Sequence, residues 1–152
     1  MSEGEPIMQT GARVDQVERY KFEVHFPGEP FPNLVVDEPL PVGRNAGPSP
    51  VRVLAAAVGH CMSSTLYNTL ERARIPSTPV RTTVRVEIGP NANSRRRVRK
   101  MALEIQAAPR DETDRERFEH CVSIFEDYCT VSGAVREGIV LVTRVIPPTG
   151  SA

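Results

Sequence analysis

The stretch from Pro50 to Leu66, PVRVLAAAVGHCMSSTL, constrains this chain more than any other. It is the longest apolar segment and has no proline after its first residue. Val53, Leu54, Ala57, Val58, Cys61 and Leu66 fall near helical spacing. Pro50 suits a first helical turn, whose N–H groups have no helical partner, and Ser49 can cap those that follow. Ala55, Ala56, Ala57 and Gly59 make a run too small for an ordinary surface helix. Small residues let another backbone approach, while glycine costs about 1 kcal/mol of helix stability relative to alanine. The stretch therefore reads as a buried central helix against which other elements, or a second copy, press. Cys61 sits in its middle.

A chain of 152 residues is long enough to bury a core without staples. Nineteen basic and nineteen acidic side chains cancel, so no overall field draws nucleic acid or an anionic membrane. No apolar run approaches the roughly 20 residues of a membrane span. The polar, acidic beginning lacks the apolar core of a signal peptide. Three cysteines without framework spacing fit a reducing compartment, and the expected location is cytoplasmic.

Residues 1–11 are expected to be disordered, followed by a single domain over 12–148. Phe22, Val24 and Phe26 alternate with Lys21, Glu23 and His25, as in a half-buried strand. Leu34-Val35-Val36 is a short second strand, and the Pro- and Gly-rich stretch 37–48 is a loop. The central helix runs from about Pro50 to Arg74, ahead of Pro76. Residues 80–88 and 98–107 form a hairpin around the turn 89–94. Asp111 to Asp127 reads as a second helix capped by Thr113 or Asp114, with Phe118, Cys121, Val122 and Phe125 facing inward. A short helical turn over 130–137 ends at Gly138, and Ile139 to Ile146 is a final strand stopped by Pro147-Pro148. The fold class is α+β.

The chemistry lies with the thiols. A cysteine in an apolar helix is usually a small buried hydrophobe, and reactivity needs a lowered pKa and access. On those grounds Cys61 stays open between core and nucleophile, and Cys121 belongs to the core. Cys129, at a helix end beside Tyr128, can be exposed by a turn. Spacing argues against zinc: no C-x-x-C or H-x-x-x-H pair occurs, and the neighbours His60-Cys61 and His120-Cys121 point apart on a helix. His60 points about 100° around the helix from the thiol and is better served by a polar partner. The basic run Arg95, Arg96, Arg97, Arg99, Lys100 has no interleaved aromatic to stack on bases and reads as a solvated edge.

Two stretches together resemble the OsmC/Ohr family, the osmotically induced and organic hydroperoxide resistance proteins. One is Gly47-Pro48-Ser49-Pro50 with Leu54-Ala55-Ala56-Ala57-Val58-Gly59-His60-Cys61. The other is Cys129-Thr130-Val131-Ser132 with Val135, Gly138 and Ile139. The order of elements over roughly 13–146 is also similar. The resemblance implies an OsmC-like fold, with a long central helix wrapped by curved antiparallel sheets in an intertwined homodimer. It implies that Cys61 attacks an organic hydroperoxide as thiolate and becomes a sulfenic acid. Cys129 then resolves this as a disulfide, which a dithiol reductant of the lipoyl type reduces, with no cofactor.

The chain also departs from the family pattern. Peroxidatic members carry a glutamate just after the proline that opens the central helix; here Val51 and Arg52 follow Pro50. The family's thiolate-stabilising arginine comes from the N-terminal region, where Arg19 and Arg44 are the candidates. Arg52 is a third, nine residues before Cys61 and on the opposite helix face. Thr130 replaces the usual proline. The alternative reading is a non-peroxidatic OsmC-like dimer that binds a small apolar ligand or senses redox state. A hot-dog thioesterase-like domain ranks last, for want of a carboxylate on the central helix.

Overall fold

The computed structural model describes residues 7–146; the beginning of the expected disordered terminus and the stop at Pro147-Pro148 lie outside them. Residues 7–11 are exposed and irregular. The chain forms two compact units. One runs as far as Ala56 and takes in Val84–Ala102; the other comprises Ala57–Thr83 and the chain from Leu103 onward.

In the first unit, β1 (Arg13–Glu18), β2 (Lys21–His25) and β3 (Leu34–Val36) form an antiparallel sheet in that order. Val14 faces Val24, which faces Leu34, and Phe22 faces Val36. Such apolar cross-strand pairs each contribute roughly 0.2–1 kcal/mol. The alternation that marked β2 is absent from RVDQVE, all of which is exposed, so β1 is visible only through its pairing. A register shift between Gln16 and Glu18 leads into a turn that places Arg19 at φ 50°.

After β3 the chain enters a loop built around Asp37, which is 3% exposed. Its carboxylate accepts the backbone N–H groups of Glu38 (2.8 Å), Arg44 (3.0 Å) and Ala46 (3.1 Å). The backbone N–H groups of Ala46, Arg44 and Glu38 hold the Asp37 carboxyl below its ordinary pKa against the opposing effect of burial. Two glycines make the loop sterically possible. A Cβ on Gly43 would collide with the Glu38 carbonyl, and one on Gly47 with that of Val35.

The helix α1 (Pro50–Arg72) is continuous, and its N-terminal residues to Ala56 belong to the first unit. The strands β4 (Arg81–Pro90) and β5 (Arg96–Gln106) pair around the turn held by Asn91. Lys100 reaches Glu87 at 3.7 Å, so part of the basic run is paired along the hairpin.

The second unit holds the apolar core. Val58, Met62, Leu66 and Leu70 recur every fourth residue on α1 and are buried. So are Ile75, Phe118, Cys121, Phe125 and Cys129. Burying a side chain of this size stabilises by about 1.5–3 kcal/mol. The expected second helix is divided into a 3-10 turn (Glu112–Asp114), α2 (Arg115–Ile124) and a second 3-10 turn (Phe125–Tyr128). Asp111 caps the first 3-10 turn, its carboxylate accepting the Thr113 N–H and hydroxyl, and Asp114 stands at the N-cap of α2 without a side-chain capping bond. Val122 is exposed, because α2 buries only the line through Phe118, Cys121 and Phe125. Cys121 Sγ lies 4.0 Å from the Thr69 carbonyl, and Arg117 donates to the carbonyl of Ala73 at the end of α1.

The helix α3 (Thr130–Glu137) matches the expected helical turn, and Gly138 follows it at φ 83°. The expected strand over Ile139–Ile146 is not formed. Its apolar side chains are highly exposed, from 65% at Ile139 to 93% at Val145. A strand exists only where a neighbour takes up its backbone N–H and C=O groups. Among the described residues of this chain no strand does so for 139–146. No helix of the described chain is long and apolar enough to cross a membrane.

Candidate functional site

Helix α1 carries Cys61 on the half-exposed border of its buried stripe, one residue before Met62. The second 3-10 turn and α3 meet at Cys129, whose extended backbone (φ −84°, ψ 105°) makes it the residue that caps α3. Its carbonyl accepts the Gly133 N–H at 2.9 Å, closing the first turn. The two sulfurs, 68 positions apart in sequence, lie 3.1 Å from each other, with Cys129 as donor to Cys61. Both are free thiols. A disulfide bond is about 2.05 Å long, so a shift of about 1 Å separates this contact from the bonded state.

Their surroundings differ. Burial pushes the Cys61 thiol above its ordinary pKa; the Val131 N–H opposes this, and the neighbouring Cys129 sulfur adds to it. Burial acts the same way on Cys129, which is 3% exposed. There the Ser132 hydroxyl, the Cys61 thiol, the Ser132 N–H and the Thr65 hydroxyl together outweigh it and hold the pKa below the ordinary value.

Thr65 and Ser132 were not singled out by sequence reasoning. Thr65 follows Cys61 by one helical turn and donates to its carbonyl at 2.8 Å. Ser132 is the third residue after Cys129, the position whose N–H a capping side chain ordinarily takes. That spacing was the available signal.

The three expected thiolate-stabilising arginines all belong to the other unit. Arg19 and Arg44 line one cavity of about 210 Å³ with Tyr20, Lys21 and Asp37. Arg44 is engaged there by Glu18, at 3.1 Å. Arg52 is exposed on α1 and lines a wider cavity, of about 680 Å³, whose apolar wall includes Val51, Val84, Val86 and Val98. His60 has the expected polar partner, the Ser64 hydroxyl at 3.2 Å. Cys121 is buried in the core, as its spacing predicts. Among the described residues, no three His, Cys, Asp or Glu side chains converge as metal ligands.

An α+β chain with a dithiol between a long helix and a short one is thus the class that fold and site define. The family model for OsmC-like proteins matches residues 43–144, and the chain belongs to that family. No curated protein sequence matches it. Among solved structures, an OsmC-like protein of unknown function from Vibrio cholerae superposes with a TM-score of 0.69 at 14% identity, covering 84% of this chain and 94% of that one. An organic hydroperoxide resistance protein from Elizabethkingia anophelis gives 0.64 at 20% identity, with 88% and 91% covered. Another organic hydroperoxide resistance protein, from Legionella pneumophila, gives 0.61 at 19%, with 87% and 92% covered. At these identities the likeness is one of fold: a helix and antiparallel sheets in an α+β arrangement.

Proposed function

We propose that the protein reduces organic hydroperoxides through a cycle of Cys61 and Cys129. The observation that carries this reading is the 3.1 Å approach of two free thiols from separate elements. Cys61, the more exposed sulfur, attacks the terminal peroxide oxygen as thiolate. The O–O bond breaks, and the products are a Cys61 sulfenic acid and an alcohol. Cys129 then displaces the sulfenic oxygen, which leaves as water, and the Cys61–Cys129 disulfide forms. A dithiol reductant of the lipoyl type restores both thiols. Arg19, Arg44 and Arg52 are the candidates for stabilising the Cys61 thiolate, and the cycle calls for no metal or cofactor.

The assembly we propose is an intertwined homodimer, with curved sheets wrapping the α1 helices. Two features support it: the wholly exposed strand β1, and the apolar segment 139–146, whose backbone has no strand neighbour. Residues 12–148 would then act as one domain. A reducing, cytoplasmic setting fits the three free thiols.

One equivalent of cumene hydroperoxide, followed by intact mass and thiol count, tests the cycle. Loss of two hydrogens and two thiols is expected, with a sulfenic acid trapped in Cys129→Ser. Three surviving thiols in the wild type and two in the variant would sink it. A second reading, a non-peroxidatic dimer that binds a small apolar ligand or senses redox state, is favoured by Val51 and Arg52 at the start of α1. They stand where peroxidatic relatives carry a glutamate, beside the valine-walled cavity.

A further inference from the structure

The cavity of about 680 Å³ at the start of α1 lies wholly within the first unit, and neither Cys61 nor Cys129 lines it. Its volume falls in the range of small-molecule sites, ~300–1,000 Å³. Much of its wall is apolar. Val84, Val86 and Ile88 alternate along one face of β4, Val98 comes from β5, and Val51 from the first turn of α1. Ile88 is 55% exposed and Val98 38%, so this wall is largely uncovered. The rest of the lining is charged. Arg52, Arg96 and Arg97 bring three guanidinium groups, against the one carboxylate of Glu38. The first turn of α1 holds no acidic residue. Among the described residues none of the three arginines is ion-paired. Arg97 donates to the Arg96 carbonyl at 2.7 Å, which leaves its charge unmatched.

We propose that this cavity binds a single-chain alkyl carboxylate, with its tail along the valine wall and its headgroup among Arg52, Arg96 and Arg97. Burying the tail removes the exposed apolar wall from water. The headgroup accepts charge-assisted hydrogen bonds, for which the planar guanidinium fork is well matched to a carboxylate. Three positive groups against one negative exclude a cationic amphiphile. The inference deepens the second reading, of a protein that binds a small apolar ligand, and rests on it; it adds that the ligand is an anion and assigns the residues that select it.

Isothermal titration of the full-length, reduced protein tests this without peroxide, so the result is independent of hydroperoxide turnover. The probes are decanoate, decanol and decyltrimethylammonium, each below its micelle-forming concentration. Decanoate should bind once per protomer, decanol about tenfold more weakly, and the ammonium not at all. Octanoate, shorter by two methylenes, should bind about fifteenfold more weakly than decanoate. Raising the salt from about 0.1 M to about 1 M should weaken decanoate and spare decanol. Arg96→Gln with Arg97→Gln should weaken decanoate about tenfold and leave decanol unchanged. Val86→Asp should lose both; should it fail to fold, the exposed arginine pair carries the test. Decanoate bearing a diazirine at its tail should label peptides from 84–98. Equal affinity for decanoate and decanol would overturn the anion assignment and leave the second reading standing. Binding of neither, or labelling confined to other peptides, would remove the ligand-binding reading along with it. Binding to anionic lipid vesicles but not to free decanoate would also overturn the proposal.

Discussion

The two units of this chain are stabilised in different ways. Every buried apolar side chain among the described residues belongs to the unit containing Ala57–Thr83 and the chain from Leu103. The other unit buries Asp37, a carboxylate, and leaves β1 entirely exposed. One is organised by a stripe of side chains every fourth residue. The other is organised by backbone N–H groups converging on a single anion, and by a sheet with an uncovered edge. A unit of the second kind has little apolar surface out of water by itself and gains most from a covering partner.

The largest expected effect lies in the core-rich unit. Leu70 is 1% exposed, and Leu70→Ala should cost about 2–5 kcal/mol in urea unfolding at matched protein concentration. Next comes the apolar segment. If a second copy covers it, Val140→Asp with Val142→Asp should shift the mass in solution from dimer towards monomer and lower the melting temperature. A dimer unaffected by both charges would remove 139–146 from the interface.

The third effect is acid sensitivity, and it sharpens the contrast. The folded pKa of Asp37 lies below its unfolded value. Between the two the unfolded chain binds more protons, so stability is fully present above about pH 4 and is lost as pH falls through the folded value. Asp111 and Glu112 do the same in the other unit, the first through Thr113 and the second through Arg115. Asp37→Asn should flatten the acid limb more than Asp111→Asn, because it also loosens the loop carrying Arg44. Equal flattening in circular-dichroism titrations would end the distinction. Smallest is Val14→Thr on β1, expected within about 0.5 kcal/mol for an exposed site unless a partner covers it.

Periodicity explains what was legible in advance. The stripe of α1, the alternation of β4, and the Phe118–Cys121–Phe125 line each express one more buried face, whereas the alternating residues of β2 are all half-buried. Where no face is buried there is no pattern, and β1 left none. The segment 139–146 failed in the opposite sense: its composition suits a strand, but strand formation also requires a neighbour, which composition cannot supply. At the site, the two cysteines were legible through the paired motifs. Thr65 and Ser132 were not, because a hydroxyl acquires meaning only once the fold brings a sulfur beside it. Asp114, one of the two expected caps, stands at the start of α2, and Asp111 caps the 3-10 turn that precedes it.

Both units are discontinuous in sequence, and this has a consequence for the protein's birth. On the ribosome, Cys61 emerges 68 residues ahead of Cys129. At about 5–20 residues per second the nascent chain carries an unaccompanied thiol for roughly 3–14 s. The first unit waits too, for Val84–Ala102 to be translated before it can close. Under the proposed cycle, oxidant present during synthesis would meet Cys61 before Cys129 exists, and a sulfenic acid formed then would have no resolving sulfur and could advance to irreversible states. Newly made chains would then be the most vulnerable members of the population, and slow translation under oxidative conditions would enlarge their share.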